Sequence, residues 1–123
     1  MADRKNKLKV RYSDIPREVL EAVAMVFNYG ALKYSQDNWR TAPFFERKVF
    51  SDCIDRHTTE LSKGCVLDVE SGCYHSAHKA CNALMELYYD IHGLFGGNLF
   101  DNELVKRGWE EVMAEMAEKK ENE

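Results

Sequence analysis

From Ala77 to Ile91 apolar residues return at every third or fourth position, through Cys81, Leu84 and Tyr88. That is the period of an α-helix with one buried face, and no sheet accommodates it. Beside this band runs a stripe that packing alone does not require. His75, His78 and Asn82 stand at i, i+3 and i+7, which at about 100° per residue places them on one face. The stripe continues through Met85 and Tyr89, with Glu86 at its margin. Asp68, Glu70 and a Ser71–Gly72 pair lie just upstream. Two imidazoles on a helix are usually partly exposed surface residues. Two imidazoles and an amide in register beside two acids point to a site.

The same period recurs elsewhere, so the expected fold is all-α: a small bundle of about four helices with a short extended N-terminal arm. The arm, residues 1–12, is basic (Arg4, Lys5, Lys7, Lys9, Arg11), and Leu8, Val10 and Tyr12 alternate as in an extended segment. Residues 13–123 form a single domain by the usual size range. Asp14 and Pro16 start a helix that runs to about Tyr34 on a core stripe of Leu20, Val23, Ala24, Phe27, Ala31 and Tyr34. Glu18 and Glu21 fall on its other side with Met25 and Tyr29. They are either first-turn acids that favour the helix dipole or a carboxylate pair one turn apart, suited to a divalent cation.

A second helix runs from about Phe45 to Ser62 and stops at Gly64. Val49, Phe50, Cys53, Ile54 and Leu61 set its buried stripe, with His57 inside it and Glu60 at its edge. Asp52, Asp55 and Arg56 project to the other side. In the preceding segment, Lys33 and Arg40 can neutralise phosphate, and Trp39 either stacks on a base or closes the core. After the histidine helix ends near Gly93, Asp101 or Asn102 caps a last helix with Val105, Trp109, Val112 and Met116 on one face.

Composition excludes several classes. A net charge of −4 argues against a general nucleic-acid binder. No apolar run approaches the roughly 20 residues that span a bilayer, and no signal pattern is visible, so a cytoplasmic location is expected. The four cysteines contain no CxxC and read as reduced thiols. A zinc site from Cys65, Cys73, His75 and His78 has the right ligand types but too tight a spacing between Cys73 and His75.

The motifs RYSDIPxE, GAxKYxxxNW, RHxxxxxxG and DxESGxxHxxHxxxN, in this order from Arg11 to Asn82, resemble the phage family of dATP/dGTP diphosphohydrolase N-terminal domains. The resemblance implies a small α-helical nucleotide pyrophosphohydrolase similar to the MazG type, which cleaves a triphosphate to monophosphate and pyrophosphate with Mg²⁺ (or Mn²⁺). It places functional positions at Lys33, Asn38, Trp39, Arg56, His57, Asp68, Glu70, His75, His78 and Asn82. On this reading Glu70, His57 and His78 are catalytic. Lys33, Asn38, Trp39, Arg56, His75 and Asn82 bind a purine deoxynucleotide. Asp68 and Glu70 lead the metal candidates, with Glu18, Glu21 and Glu60 as helical alternatives. In one departure, many relatives carry an acid directly after the glycine that ends the second helix, where this chain has Cys65. Either Glu60 substitutes for that acid or activity is lost.

Two functions remain open: hydrolysis, or sequestration of a nucleotide or cyclic nucleotide without cleavage. Both require one pocket. The second helix and the histidine helix, joined by a short loop, should form an antiparallel hairpin. His57, His75, His78 and Asn82 then converge, with Asp68 and Glu70 at the rim. Apolar residues on both sides of the first helix, Met25 and Tyr29 included, further suggest a homo-oligomer.

Overall fold

The computed structural model describes residues 10–35, 38–41 and 46–121. Among the described residues are four α-helices and three short 3-10 turns, with no strand beyond one isolated bridge. The all-α expectation holds. The chain divides into two compact units, one of Ile15–Tyr89 and one of Met1–Asp14 with Asp90–Glu123.

In the first unit, helix α1 (Arg17–Lys33) starts behind Pro16, whose carbonyl accepts the N–H groups of Val19 and Leu20 at 3.1 and 3.3 Å. Proline's fixed φ suits this entry. The buried core is made by Val23 and Val26 of α1 with Cys73, Ala77 and Cys81, flanked by Ala22, Phe27, Ala80 and Met85. The small side chains at 73, 77 and 81 leave a shallow groove that the two valines fill. Burying each valine contributes roughly 1.5–3 kcal/mol. The buried face of α1 keeps Val23, Phe27 and Ala31 of the expected stripe but is turned away from the rest of it. Leu20 and Tyr34 are 44% and 68% exposed, and Ala24 also faces outward. Val26 takes their place. Tyr29, expected on the outer face, consequently turns inward.

Helix α2 (Arg47–Ser62) ends in a Schellman motif: Gly64 N–H donates to the Leu61 carbonyl at 2.9 Å and Cys65 N–H to the Glu60 carbonyl at 3.1 Å. Gly64 has a φ of +86°, which requires glycine's freedom there. Phe45, the expected start, lies outside the described residues. Helix α3 (His75–Phe95) runs antiparallel to α2. Phe50 meets Tyr89 at 6.1 Å between ring centroids and Arg47 pairs with Glu86, while at the opposite end His57 meets His75 and His78. The expected hairpin is present.

The connecting loop folds back on itself. Asp68 N–H donates to the Cys73 carbonyl at 2.8 Å and His75 N–H to the Val66 carbonyl at 2.9 Å, forming an antiparallel bridge between Leu67 and Tyr74. Gly72, at φ +76°, closes the turn with its N–H on the Asp68 carbonyl.

In the other unit, Tyr12–Asp14 forms a 3-10 turn rather than an extended strand, pinned by Arg11 on Asp14 at 3.3 Å. Leu8 lies outside the described residues. The Asn102 side chain caps helix α4 (Glu103–Glu121), accepting from the N–H groups of Leu104 and Val105. Val105, Trp109 and Met116 are half-buried as expected, but Met113 replaces Val112, which is 48% exposed. Among the described residues no helix is long and apolar enough to cross a membrane.

Candidate functional site

A cleft of about 800 Å³ opens within the Ile15–Tyr89 unit. Lys33, Trp39, Arg56, His57, Asp68, Glu70, His78 and Asn82 all line it, with Tyr29 and Met85. Helix phasing had set Arg56 on the far side of α2, yet its long side chain reaches the cleft. The Arg56 guanidinium also touches Cys53 Sγ at 3.0 Å.

One wall is an imidazole network. The His57 and His78 rings stack at 4.4 Å with 8° between their planes. His57 Nδ1 lies 2.8 Å from Nδ1 of His75, which is 4% exposed and does not line the cleft. His75, expected to bind substrate, therefore stands behind His57 and orients it. Two facing ring nitrogens at that distance share one proton, so at least one ring is neutral. Burial first, then the neighbouring His78 and His75, hold His57 below the usual imidazole pKa. Burial is also the largest cause lowering His78, against the opposing charge of Asp68.

Asp68 anchors this wall. Its Oδ2 accepts the Ser71 N–H at 2.9 Å and the Ser71 hydroxyl at 2.8 Å, and lies 3.8 Å from His78 Nε2. Burial opposes ionisation of Asp68, but the two Ser71 bonds and the nearby imidazoles outweigh it and hold the carboxyl below its ordinary pKa.

The rim of the cleft carries an exposed ion pair. Glu70 Oε1 accepts from Tyr29 Oη at 2.8 Å and from Lys33 Nζ at 3.1 Å. The Tyr29 bond, then Lys33, lowers the Glu70 pKa, and the Glu70 bond raises those of Lys33 and Tyr29. Trp39, which also lines the cleft, packs against Phe27, Tyr88 and Tyr89 at 5.8, 4.8 and 6.3 Å, with the Arg40 guanidinium 5.2 Å over its ring. The Tyr89 hydroxyl donates to the Trp39 carbonyl. Trp39 thus both closes the aromatic cluster and shows a surface to the cleft. Asn82 Nδ2 donates to the His78 carbonyl at 2.9 Å. The side chain of Asn38 lies outside the described residues.

The acids divide sharply. Glu18, Glu21 and Glu60 do not line the cleft; Glu21 pairs with Arg17 at 3.6 Å and Glu60 with Lys63 at 3.0 Å. Among the described residues no group of three or more His, Cys, Asp or Glu stands together as a metal cage, the Cys65/Cys73/His75/His78 set included. His57 and His78 are also stacked, so their lone pairs lie in nearly parallel planes that do not converge on one ion. Asp68 and Glu70 do share the cleft.

Tyr29 and Ser71 are the residues that sequence reasoning missed. Tyr29 was hidden by the roll of α1. Ser71 had a signal: Asp followed three positions later by Ser, next to a glycine, is turn chemistry in which the carboxylate takes the backbone N–H.

A family model, dATP/dGTP diphosphohydrolase, N-terminal, matches residues 1–101. No curated protein and no solved structure matches the chain. The matched stretch contains the entire cleft and more than three-quarters of the sequence, and the chain belongs to the dATP/dGTP diphosphohydrolase N-terminal domain family.

Proposed function

We propose that the cleft binds a purine deoxynucleoside triphosphate (dATP or dGTP) and hydrolyses it to monophosphate and pyrophosphate, as a step in phage nucleotide metabolism. The observation that carries this reading is the pairing, in one cleft, of Lys33 and Arg56 with a wall of imidazoles held below their ordinary pKa. The cations suit phosphate oxygens. The neutral imidazoles suit proton acceptance near neutral pH. Trp39 offers a face for the purine, and Asn82 an amide edge.

Mg²⁺ or Mn²⁺ is tested by the donor set. Two carboxylates, Asp68 and Glu70, without a third ligand make a poor cage for a resident ion. They do match the one or two acids that Mg²⁺ takes when substrate phosphates complete its shell. When bound, the ion neutralises charge on the phosphates. The chain's own groups then hold the triphosphate, cover the base, and take the proton released when water attacks the α-phosphorus and pyrophosphate leaves. His57, His78 and Glu70 are the groups assigned to that chemistry.

Product analysis after incubation with dATP or dGTP and Mg²⁺ tests the reading. Formation of dAMP or dGMP with pyrophosphate supports it. Recovery of intact, bound nucleotide supports the second reading, sequestration, which is favoured by the engagement of both cleft carboxylates with protein partners. We further propose a homo-oligomer, on the strength of Met25 and Leu32, which are 55% and 87% exposed on α1. Tyr29 no longer supports that argument, since it faces the cleft. Light scattering that gives a monomer at micromolar concentration removes the oligomer.

A further inference from the structure

We infer that Ser71 is a positioning residue that locks His78 in its Nε2–H tautomer, so that His78 meets the ligand as a proton acceptor rather than as a phosphate-binding donor. The inference deepens the hydrolase reading and rests on it for its functional consequence.

The argument is proton accounting. Ser71 Oγ has three neighbours: Asp68 Oδ2 at 2.8 Å, His78 Nε2 at 2.8 Å and the Cys73 N–H at 3.1 Å. A hydroxyl carries one proton and two acceptor lone pairs. The Cys73 amide can only donate, so it uses one lone pair. An ionised Asp68 can only accept, so it takes the hydroxyl proton. One lone pair remains, facing His78 Nε2, and that nitrogen must therefore bear a hydrogen. The opposite assignment would set two oxygen acceptors against each other at 2.8 Å. A second contact agrees: Nε2 lies 3.8 Å from Asp68 Oδ2, where an N–H is favoured and a lone pair is not.

A neutral imidazole carries its proton on one nitrogen only. With Nε2–H committed to Ser71, Nδ1 holds the free lone pair, and no partner faces it among the described residues. Phosphate oxygens demand donors, so His78 has nothing to offer them in this state. A water, a hydroxyl or an amine has a proton that Nδ1 can accept. The phosphate-binding duty falls on Lys33 and Arg56.

Two-bond ¹H–¹⁵N correlation spectra of the intact labelled protein, above the ordinary imidazole titration range, test this directly. The expected wild-type pattern for His78 is protonated Nε2 and unprotonated Nδ1. Asp68→Ala, which frees the Ser71 hydroxyl to donate to Nε2, should raise the Nδ1–H share, and adding Ser71→Ala, which removes that donor, should reverse the change. A wild-type His78 with Nδ1–H, or an unchanged tautomer in Asp68→Ala, overturns the assignment. Titration calorimetry with inorganic pyrophosphate supplies a second measurement. His78→Ala should leave pyrophosphate affinity within about twofold, whereas Lys33→Gln should weaken it about tenfold, the loss of one charge-assisted bond. A tenfold loss in His78→Ala shows a donor and sinks the inference. If the tautomer is as stated but dATP and dGTP stay intact, the hydrolase reading fails while the Ser71 assignment stands.

Discussion

The two sides of the cleft use similar residue types under opposite conditions. On the imidazole wall, the side chains of His78 and Asp68 are 13% and 23% exposed, and His57 and His78 favour the neutral state. On the rim, Lys33 and Glu70 are 45% and 64% exposed and fully charged. Water screens the rim pair, which makes it weak and easily exchanged for ligand ions. The wall is less easily exchanged, because its groups are half-buried and hydrogen-bonded to one another. The wall therefore supplies geometry and proton affinity, and the rim supplies charge on arrival.

Breaking the wall should have the largest effect. Asp68→Ala removes the acceptor for both Ser71 bonds and the anion beside His78, at the point where the loop turns into α3. Hydrolysis of dATP and dGTP should fall by about 100-fold or more, the range for losing a positioned acid–base group. Stability should fall on the order of 1 kcal/mol, since the Ser71 N–H loses its partner but remains partly solvated. Product assays and urea unfolding read the two effects separately. A variant that cuts at the wild-type rate would remove Asp68 from the site.

The wall should also be the acid-sensitive side. His57 and His78 bind protons less readily folded than unfolded. As pH falls through their ordinary value of about 6.5, the unfolded chain takes up protons that the folded chain refuses. Stability drops until the lowered folded values are passed. Asp68 and Glu70, whose folded pKa values are depressed, add stability above the ordinary carboxylate range and lose it as pH falls through their folded values. Urea midpoints should therefore decline in two windows, the first below about pH 6.5 and the second below about pH 4. His57→Gln should reduce the first, leaving the share of His78, and leave the second.

Breaking the rim should be milder. Lys33→Gln should raise KM about tenfold with a smaller change in kcat, as expected for uniform phosphate binding. Because the Lys33–Glu70 pair is exposed and screened, the urea midpoint should move only slightly. An unchanged KM would assign the phosphate site to Arg56 alone.

This contrast also marks what the sequence made legible. The wall's histidines follow helical periodicity, so their shared face and the hairpin that brings His57 to them could be read before any coordinates. Periodicity reports spacing along a helix, not its rotation against a partner. Rotation depends on side-chain volumes across the interface, here the small Cys73, Ala77 and Cys81 against Val23 and Val26. Tyr29 was consequently assigned to the wrong face. Ser71 and the folded loop depend on contacts between residues that no regular period relates. The reach of Arg56 depends on a flexible side chain that helix phasing ignores. Glu18, Glu21 and Glu60 show the converse: acids that looked suggestive in the sequence but do not line this cleft.

The smallest effect should come from Cys65, where many relatives are expected to carry an acid. The Cys65 side chain is exposed and does not line the cleft. Its backbone N–H is what the fold uses, as the second closing bond of the α2 terminus on the Glu60 carbonyl at 3.1 Å. An aspartate supplies the same N–H, and position 65 is not among the residues that line the cleft. Cys65→Asp should therefore leave kcat/KM within about twofold and the urea midpoint unchanged, as for most surface substitutions. A rise of tenfold or more would show that an acid at this position reaches the reacting atoms. The cleft would then have to extend toward the end of α2, and Asp68 and Glu70 would no longer suffice as its carboxylates.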